Sequence, residues 1–476
     1  MAESLKEKTV KGFVWSSVER FSVQGVQFLV TLVIARILSP KDYGLVGMLA
    51  IFMAVSQSLI DSGFSQALIR KQDRTEVDNC TVFYFNIVTS SLLYLILFAV
   101  APLVADFYNE PQLTSLMRVL CIVVIINSFA VVQRALYTAT INFKTQAKAT
   151  FISTFISGVV GIVLAYNGFG VWTLVYHQLL NASLNTIMLW GYSNWRPKLI
   201  YSWKSFQELF AFGSNLLLSG LLNTIYNNLY QIVIGKIFSA TKLGFYTQAH
   251  HFSSLISINL NGIIGRVTYP VLSSIQNEDE RLSNNYRKLL RLSAFAVFPV
   301  MCLLAGVSHP FIILLLGEKW LFSATLIIPI CFSTMWYPIH ALNLNLLNVK
   351  GRSDLFLKLE IIKKVIGVLI LAFSVPFGLV FMCWMSVVSS LIALVINTYY
   401  TGKLIHVGGW IQIKDLFPTL LLSLTVFAVS YCICLLFENN IVKLSLSIVV
   451  SIVIYFSTSY LFKFEELQLI KSIRKK

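Results

Sequence analysis

The sequence predicts an all-α integral membrane protein with about fourteen transmembrane helices, in two similar six-helix halves plus two C-terminal helices. Three observations predict this fold class. Of the 476 residues, 57% are hydrophobic and 12% are charged, whereas soluble domains carry about 25% charged residues. Apolar runs of about 20 residues recur along the chain, and each is long enough to cross the hydrocarbon layer as a helix. A short motif also recurs 200 residues after its first occurrence.

The predicted spans are separated by short polar loops or turns. The pairs 149–191 and 359–399 are each divided only by a turn, at Asn167-Gly168 and at Pro376-Phe377-Gly378. Glycine and proline mark turns, but either pair is open to being miscounted. The predicted spans are 13–35, 44–65, 81–106, 115–137, 149–168, 169–191, 209–234, 248–270, 291–316, 324–346, 359–376, 377–399, 416–436 and 441–462.

The basic residues indicate how the chain is oriented. The net charge of +16 is spread over short loops rather than gathered in one domain, so we expect no nucleic-acid partner. Lysine and arginine accumulate in cytoplasmic loops, which predicts that both termini are cytoplasmic. The largest basic clusters are Arg281/Arg287/Lys288/Arg291, Lys350/Arg352/Lys358/Lys363/Lys364 and Lys471/Arg474/Lys475/Lys476.

An internal repeat defines the two halves. Val33-Ile34-Ala35-Arg36-Ile37-Leu38-Ser39 with Gly44 reappears as Val233-Ile234-Gly235-Lys236-Ile237-Phe238-Ser239 with Gly244. Repeats related by an axis along the membrane normal are typical of transporters. The predicted domains are 1–198 with helices 1–6, 199–403 with helices 7–12, and 404–476 with helices 13–14 and a basic tail.

Polar side chains recur at helical spacing on the first helix of each half. The first stripe is Ser16, Arg20, Gln24, Gln27 and Thr31, and the second is Asn215, Ser219, Asn223, Asn227 and Gln231. We expect both stripes to line a water-filled cavity between the halves, with substrate bound by Arg20, Gln24, Gln27, Asn223 and Asn227. Interhelical packing, worth about 0.6 kcal/mol per hydrogen bond, is the alternative for the amides. A buried arginine costs at least ~2.5 kcal/mol, which favours the cavity for Arg20.

Other charged residues are weaker candidates. Arg118, Arg134 and Arg266 are candidate substrate ligands, although near helix ends they could instead extend to the headgroups. Glu19 and Asp61 are candidates for coupling to H⁺ or Na⁺. The alternatives are neutralisation of Arg20 by Glu19, and helix capping or an ion pair for Asp61. No cofactor and no metal site are expected.

These residue types favour transport of an anionic, hydroxyl-rich molecule. Arginine offers a bidentate fork to phosphate oxygens, and amides suit sugar hydroxyls. The sequence has no Gly-x4-Gly-Lys-Ser/Thr phosphate loop and no large extramembrane loop for a glycosyl-transfer site. We therefore predict a transporter rather than an enzyme.

Several ordered motifs resemble those of bacterial polysaccharide transporters of the Wzx type. Their superfamily includes MATE-type multidrug exporters and the lipid II flippases. The motifs cover about the first 400 residues. They are Arg36-Ile37-Leu38-Ser39-Pro40-Lys41-Asp42-Tyr43-Gly44, Asp61-Ser62-Gly63-Phe64-Ser65-Gln66-Ala67-Leu68-Ile69, Asn142-Phe143-Lys144, Gly168-Phe169-Gly170-Val171-Trp172, Ile234-Gly235-Lys236, Leu243-Gly244-Phe245-Tyr246 and Gly317-Glu318-Lys319-Trp320.

The resemblance implies a V-shaped flippase of the bacterial inner membrane that works by alternating access. Its implied substrate is an undecaprenyl-pyrophosphate-linked oligosaccharide for O-antigen, capsule or exopolysaccharide synthesis, and its implied partners include a polysaccharide polymerase and chain-length machinery. Lipid II flippases use arginines on helices 1 and 8, where this chain has Arg20 and Arg266. They also use one on helix 2, and 44–65 contains no arginine or lysine, which argues against lipid II itself. The alternatives are a MATE-like drug or cation exporter and, less favoured, a membrane glycan polymerase or ligase.

Overall fold

The computed structural model describes residues 22–61 and 63–468, and its regular elements there are all helical. This confirms the all-α prediction. The helices are α1 (Ser22–Ile37), α2 (Pro40–Asp61), α3 (Phe64–Arg70), α4 (Glu76–Tyr108), α5 (Leu113–Leu120), α6 (Ile122–Ser128), α7 (Val131–Ala139), α8 (Phe143–Tyr166), α9 (Val171–Tyr192), α10 (Trp203–Ile237), α11 (Ala240–Ser274), α12 (Asp279–Gly306), α13 (Ser308–Leu316), α14 (Leu321–Thr334), α15 (Tyr337–Val349), α16 (Ser353–Ser374), α17 (Leu379–Ile405), α18 (Gly409–Leu436) and α19 (Asn440–Leu461).

The helices are those of a membrane protein. Within the described residues, eight candidate spans are long and apolar enough to cross a bilayer, or nine if α5–α6 and the bent continuation α7 form one span. Exposed leucine, valine, isoleucine and phenylalanine side chains are abundant on these helices, as expected where acyl chains replace water. The larger count of fourteen spans stays a prediction.

Both turns predicted within paired spans separate two distinct helices. Between α8 and α9, Gly168 and Gly170 have φ angles of 78° and 52°, which glycine adopts without steric cost. Between α16 and α17, a 3-10 turn at Val375–Phe377 is followed by Gly378 at φ 94°. Each pair therefore consists of two separate helices joined by a tight turn, and the number of spans they form stays a prediction.

The segment predicted as one helix at 115–137 is broken instead. The chain bends by 40° between α6 and α7. The Ser128 hydroxyl donates to Ile125 O at 2.7 Å, and the Trp190 indole donates to Phe129 O at 2.9 Å. Side chains that take up main-chain carbonyls in this way bend helices.

The tenth predicted helix, 324–346, is also broken. Helix α14 ends at Thr334, and α15 begins at Tyr337. Pro338 has no amide hydrogen for the carbonyl one turn earlier, so the helix restarts there. The breaks fall in the fourth and tenth predicted helices, which are equivalent positions of the repeat.

Helix α2 is displaced from its predicted bounds of 44–65. It begins at Pro40, where the Asp42 carboxylate accepts from the Ser39 amide at 2.8 Å and from the Ser39 hydroxyl at 2.7 Å. It ends at Asp61, and Gly63 follows in a left-handed conformation with φ 70°. The contact between Ser39 and Asp42 therefore marks the start of the helix more sharply than hydropathy does.

The chain forms two compact units, Met1–Gly244 and Phe245–Lys476. The domain limits predicted from the repeat, at 198/199 and 403/404, stay predictions. Within the first unit, the connection from α9 to α10 is fastened to the start of α4. The Lys198 ammonium donates to Glu76 at 2.9 Å, and this hydrogen bond raises the pKa of Lys198.

The repeated glycines Gly44 and Gly244 make a reciprocal contact in the first unit. A Cβ atom on Gly44 would lie 1.6 Å from the Ala240 carbonyl oxygen, and one on Gly244 would lie 1.8 Å from the Pro40 carbonyl oxygen. Pro40 and Ala240 are themselves 200 residues apart. Equivalent residues thus exchange places across the contact between the first turns of α2 and α11, as local two-fold pseudosymmetry requires.

In the second unit, α18 and α19 pack against α12. Arg287 donates to both carboxylate oxygens of Asp415 at 2.7 Å each, the bidentate geometry that arginine favours. Deeper along the helices, the Tyr455 hydroxyl donates to Phe295 O at 2.8 Å. The two helices beyond the repeat are therefore an integral part of this unit.

A buried amide pair joins α15 to α18. Asn343 and Gln412 each donate to the other's carbonyl oxygen at 3.0 Å, and the Thr401 hydroxyl donates to Asn343 Oδ1 at 2.7 Å. We expect Gln412→Leu to lower the free energy of unfolding by about 1–2 kcal/mol, because it removes two buried hydrogen bonds and leaves one amide hydrogen of Asn343 without an acceptor, while Thr401 and Ile339 O keep their bonds to Asn343. The double variant Asn343→Leu/Gln412→Leu should cost less than the sum of the two single variants. Melting temperatures in detergent test this, and strictly additive losses would refute the pairing.

Candidate functional site

A polar network lies at the end of α2 in the first unit. The Gln57 amide donates to Asp61 Oδ1 at 3.2 Å, and Asn127 of α6 donates to Gln57 Oε1 at 3.1 Å. Asp61 is exposed, whereas Gln57 and Asn127 are half-buried. The carboxylate is thus held by its own helix and remains accessible from outside the network.

Arg134 carries the positive charge of this network. It lies on α7, directly after the break that follows α6, and its guanidinium donates to Asn185 Oδ1 on α9 at 3.5 Å. Asn185 in turn donates to Thr150 and Ser153 of α8 at 3.4 Å each. The bend between α6 and α7 therefore places Arg134 beside two further helices.

Asp61 and Arg134 interact electrostatically. Their closest atoms do not form an ion pair within 4 Å in the described structure. A guanidinium, a carboxylate and three amides are thus grouped in one region, with the opposite charges near but not in contact. This arrangement can receive an anion at Arg134, because the guanidinium keeps donors that Asn185 does not use.

Part of the second predicted stripe, Asn223 and Asn227, lies on one exposed side of α10. Asn223 and Asn227 are exposed, and so are Leu218, Leu222 and Ile225. At 100° per residue the asparagines and the apolar side chains point about 150° apart. An exposed apolar face suits lipid, whereas exposed amides on the other face suit water.

Helix α10 is joined to α2 beside this stripe. The Thr224 and Ser58 hydroxyls are 2.9 Å apart, so the asparagine face of α10 adjoins the helix that ends at Asp61. On α1, Gln24 is half-buried and Gln27 is exposed, while Val30 and Ile34 pack against α8 and α9. The polar side chains of α1 therefore lie outside the packed core of the unit.

The remaining predicted site residues are placed as follows. Arg118 donates to Phe98 O at 3.4 Å, and its guanidinium carbon lies 4.2 Å from the centre of the Phe98 ring. This packing on α4 does not bring Arg118 into the network of Arg134. Arg20 and Glu19 lie outside the described residues, as do the side chains of Arg266, Asn215 and Ser219.

Sequence reasoning missed Gln57, Asn127 and Asn185. For Asn185, the sequence did contain a signal of a polar contact between helices. Asn181 precedes Asn185 by one helical turn on α9, and the preceding helix α8 has serine or threonine at 150, 153, 154 and 157. Asn181 donates to Ser157 at 3.1 Å. This polar contact between α8 and α9 fixes the position of Asn185 relative to Arg134.

The fold and the embedded polar network define a polytopic helical membrane protein with a known transporter fold. The chain is similar to a solved structure of the lipid II flippase MurJ in an inward closed conformation, with a TM-score of 0.77 at 14% identity over 95% of this chain and 100% of that one. Residues 33–325 match the family described as polysaccharide biosynthesis protein, and the chain belongs to that family.

Curated relatives agree with this membership. The chain is 25% identical to the teichuronic acid biosynthesis protein TuaB of Bacillus subtilis, over 74% of this chain and 73% of that protein. It is also 25% identical to the lipopolysaccharide biosynthesis protein WzxC of Escherichia coli, over 76% and 74% of the two chains. The resemblance to Wzx-type polysaccharide transporters is confirmed.

Proposed function

We propose that this protein is a flippase that moves undecaprenyl-pyrophosphate-linked oligosaccharides across the inner membrane by alternating access. It is a transporter and not an enzyme, with fourteen spans and both termini in the cytoplasm. The observation that carries the proposal is the Arg134 guanidinium, held among amides inside the membrane helices of the first unit. An embedded arginine is costly and marks a substrate path by default.

In the proposed mechanism, the pyrophosphate binds Arg134 in competition with Asp61. Two phosphate oxygens match the arginine fork, while Asn127, Asn223 and Asn227 offer hydrogen bonds to the sugar. The polyprenyl tail stays in the bilayer. When the headgroup leaves, Asp61 again becomes the nearest counter-charge to Arg134, which lowers the cost of emptying the site.

The names of the relatives support the substrate class. TuaB and WzxC are named for biosynthesis of teichuronic acid and of lipopolysaccharide. A protein named for succinoglycan biosynthesis transport, ExoT of Rhizobium meliloti, is 24% identical over 68% of this chain. Surface polymers made from lipid-linked units need a carrier that moves the polar head through hydrocarbon, and a polymerase and chain-length proteins would then act on the unit delivered. Coupling to H⁺ or Na⁺ through Glu19 or Asp61 remains part of the proposal.

Reconstitution of the full chain in liposomes tests the function. A fluorescent, short-chain polyprenyl-pyrophosphate oligosaccharide is placed in both leaflets, and a membrane-impermeant quencher reports its transfer between them. We expect transfer that depends on the protein and exceeds that of a neutral polyprenyl glycoside of the same sugar. Equal transfer of both lipids would contradict recognition of the pyrophosphate. Export of a cationic dye without lipid transfer would favour the drug-exporter alternative. Extension of the glycan would favour the polymerase.

A further inference from the structure

The second unit contains a histidine enclosed by hydrogen-bonding partners that the proposed substrate site does not use. His340 lies on α15, and its Nε2 is 3.0 Å from the Ser390 hydroxyl of α17. Its other ring nitrogen, Nδ1, is 3.2 Å from the Asn397 amide nitrogen on the same helix. Asn397 itself is only 1% exposed. Both ring nitrogens are thus held within one helix pair.

The partners assign the protonation state of the ring. The Ser390 hydroxyl donates to Ser333 O at 3.0 Å, so it accepts a hydrogen bond from His340 Nε2–H. The Asn397 amide nitrogen is a donor, so Nδ1 accepts. With the Asn397 amide in this orientation, His340 is neutral, with its one proton on Nε2 and a lone pair on Nδ1.

This neutral arrangement leaves one polar atom unsatisfied. Asn397 Oδ1 is buried and has no hydrogen-bond partner, which is costly in a protein interior. If Nδ1 takes up a proton, rotation of the Asn397 amide by 180° would present Oδ1 to the new Nδ1–H. The orphan oxygen would then accept a charge-assisted hydrogen bond, which is roughly twice as strong as a neutral one.

The surrounding charges make protonation sensitive to conformation. Lys363 of α16 acts electrostatically on His340 and is paired with Glu360 at 2.5 Å. The two hydrogen-bonding partners of His340 on α17, Ser390 and Asn397, carry no charge. Burial and the Lys363 ammonium both oppose a positive charge on His340 in this conformation, and an added proton adds one positive charge to the cluster. That charge is tolerated better where water reaches the cluster.

We propose that His340 is a proton-binding site in the second unit, with Asn397 as the residue that responds to its occupancy. The bound species is a single proton taken from water onto Nδ1, and no other bond is made or broken. Because a ligand shifts a conformational equilibrium only through unequal affinity for the two states, the proton favours the more hydrated state of the second unit. Coupling of this site to lipid transfer rests on the proposed flippase function, whereas proton binding does not.

Two measurements test the proposal separately. In the first, the full chain carries ¹⁵N-labelled histidine in nanodiscs, and NMR follows the ring nitrogens between about pH 5 and pH 8, the range in which histidine titrates. We expect the His340 signals, assigned by their loss in His340→Gln, to change from neutral to doubly protonated. In Asn397→Asp the transition should move to higher pH, because a carboxylate then faces Nδ1. A ring that stays neutral throughout, in both proteins, would overturn the site.

In the second measurement, lipid transfer in liposomes is compared with and without an imposed pH gradient. We expect the gradient to change the wild-type rate, and His340→Gln to lose this response. His309→Gln, at an exposed histidine of α13, is the matched control and should keep it. A gradient response that survives in His340→Gln, or a response to a Na⁺ gradient alone, would overturn the coupling. If the wild type transfers no lipid, the flippase proposal fails, while the NMR titration still decides the proton site.

Discussion

Replacing Arg134 by glutamine is expected to reduce lipid transfer by at least about tenfold. Hydrogen bonds to charged groups contribute roughly 1.5–3 kcal/mol each, and 1.4 kcal/mol corresponds to a factor of ten. The glutamine keeps a donor for Asn185 but offers no fork for a pyrophosphate and no charge to oppose Asp61. Arg134→Lys should retain part of the activity, because it restores the charge without the planar geometry.

Arg118→Gln is the matched control for this prediction. It makes the same chemical change in the same unit, at a guanidinium that stacks on Phe98 instead of joining the network. We expect near wild-type transfer per folded molecule. Equal losses in Arg118→Gln and Arg134→Gln would show that transfer responds to any lost positive charge, and the assignment of Arg134 to the substrate path would then be wrong.

Adding one methyl group at Gly44 is expected to have the largest effect on stability. A Cβ atom there would lie 1.6 Å from a carbonyl oxygen of the main chain, so helix backbones must move. Overpacking commonly costs about 1–3 kcal/mol and occasionally more, whereas alanine gains only about 1 kcal/mol in helix propensity over glycine. Both Gly44→Ala and Gly244→Ala should therefore lower the melting temperature of the purified protein.

The variant Gly191→Ala distinguishes the effect of tight packing on the melting temperature from the effect of helix propensity. Gly191 is also helical, and its Cβ would meet no atom within 4 Å. We expect this variant to melt at or slightly above the wild-type temperature. If Gly44→Ala and Gly191→Ala behave alike, the reciprocal contact between the first turns of α2 and α11 does not exist in the protein as it folds.

The fold class and most helix positions follow from sequence because they depend on local properties. Long apolar runs must be helical in lipid, and glycines such as Gly168 and Gly378 mark the turns between them. The break before Pro338 is consistent with the proline, but Pro102, Pro299 and Pro418 lie inside continuous helices, so a proline alone does not predict a break. The bend after Ser128 is not readable from the sequence, because the indole that satisfies Phe129 O belongs to Trp190, far along the chain.

The candidate site is less accessible to sequence reasoning because its residues meet only through the fold. Asp61 and Arg134 are 73 residues apart, and no periodicity links them. Lys363 illustrates a different failure. The sequence alone assigns Lys363 to a basic cytoplasmic cluster. In the structure it lies near the middle of α16, where it forms an ion pair with Glu360, one helical turn earlier. An orientation rule based on charge counts cannot recognise a lysine that is neutralised within its own helix.

The central claim is that the face of α10 with Asn223 and Asn227 meets water and the lipid headgroup rather than acyl chains. Measuring the water accessibility of single cysteines along α10 tests this claim most directly. Cysteine is placed singly at Asn223 and Asn227, and at Leu222 and Ile225 on the opposite face, with the exposed native Cys432 replaced by serine. We predict that a membrane-impermeant thiol reagent modifies cysteine at Asn223 and Asn227 and that the pyrophosphate lipid protects both. Cysteine at Leu222 and Ile225 should resist modification. Modification of the leucine and isoleucine positions, with none at the asparagines, would show that the polar face meets acyl chains and would contradict the account.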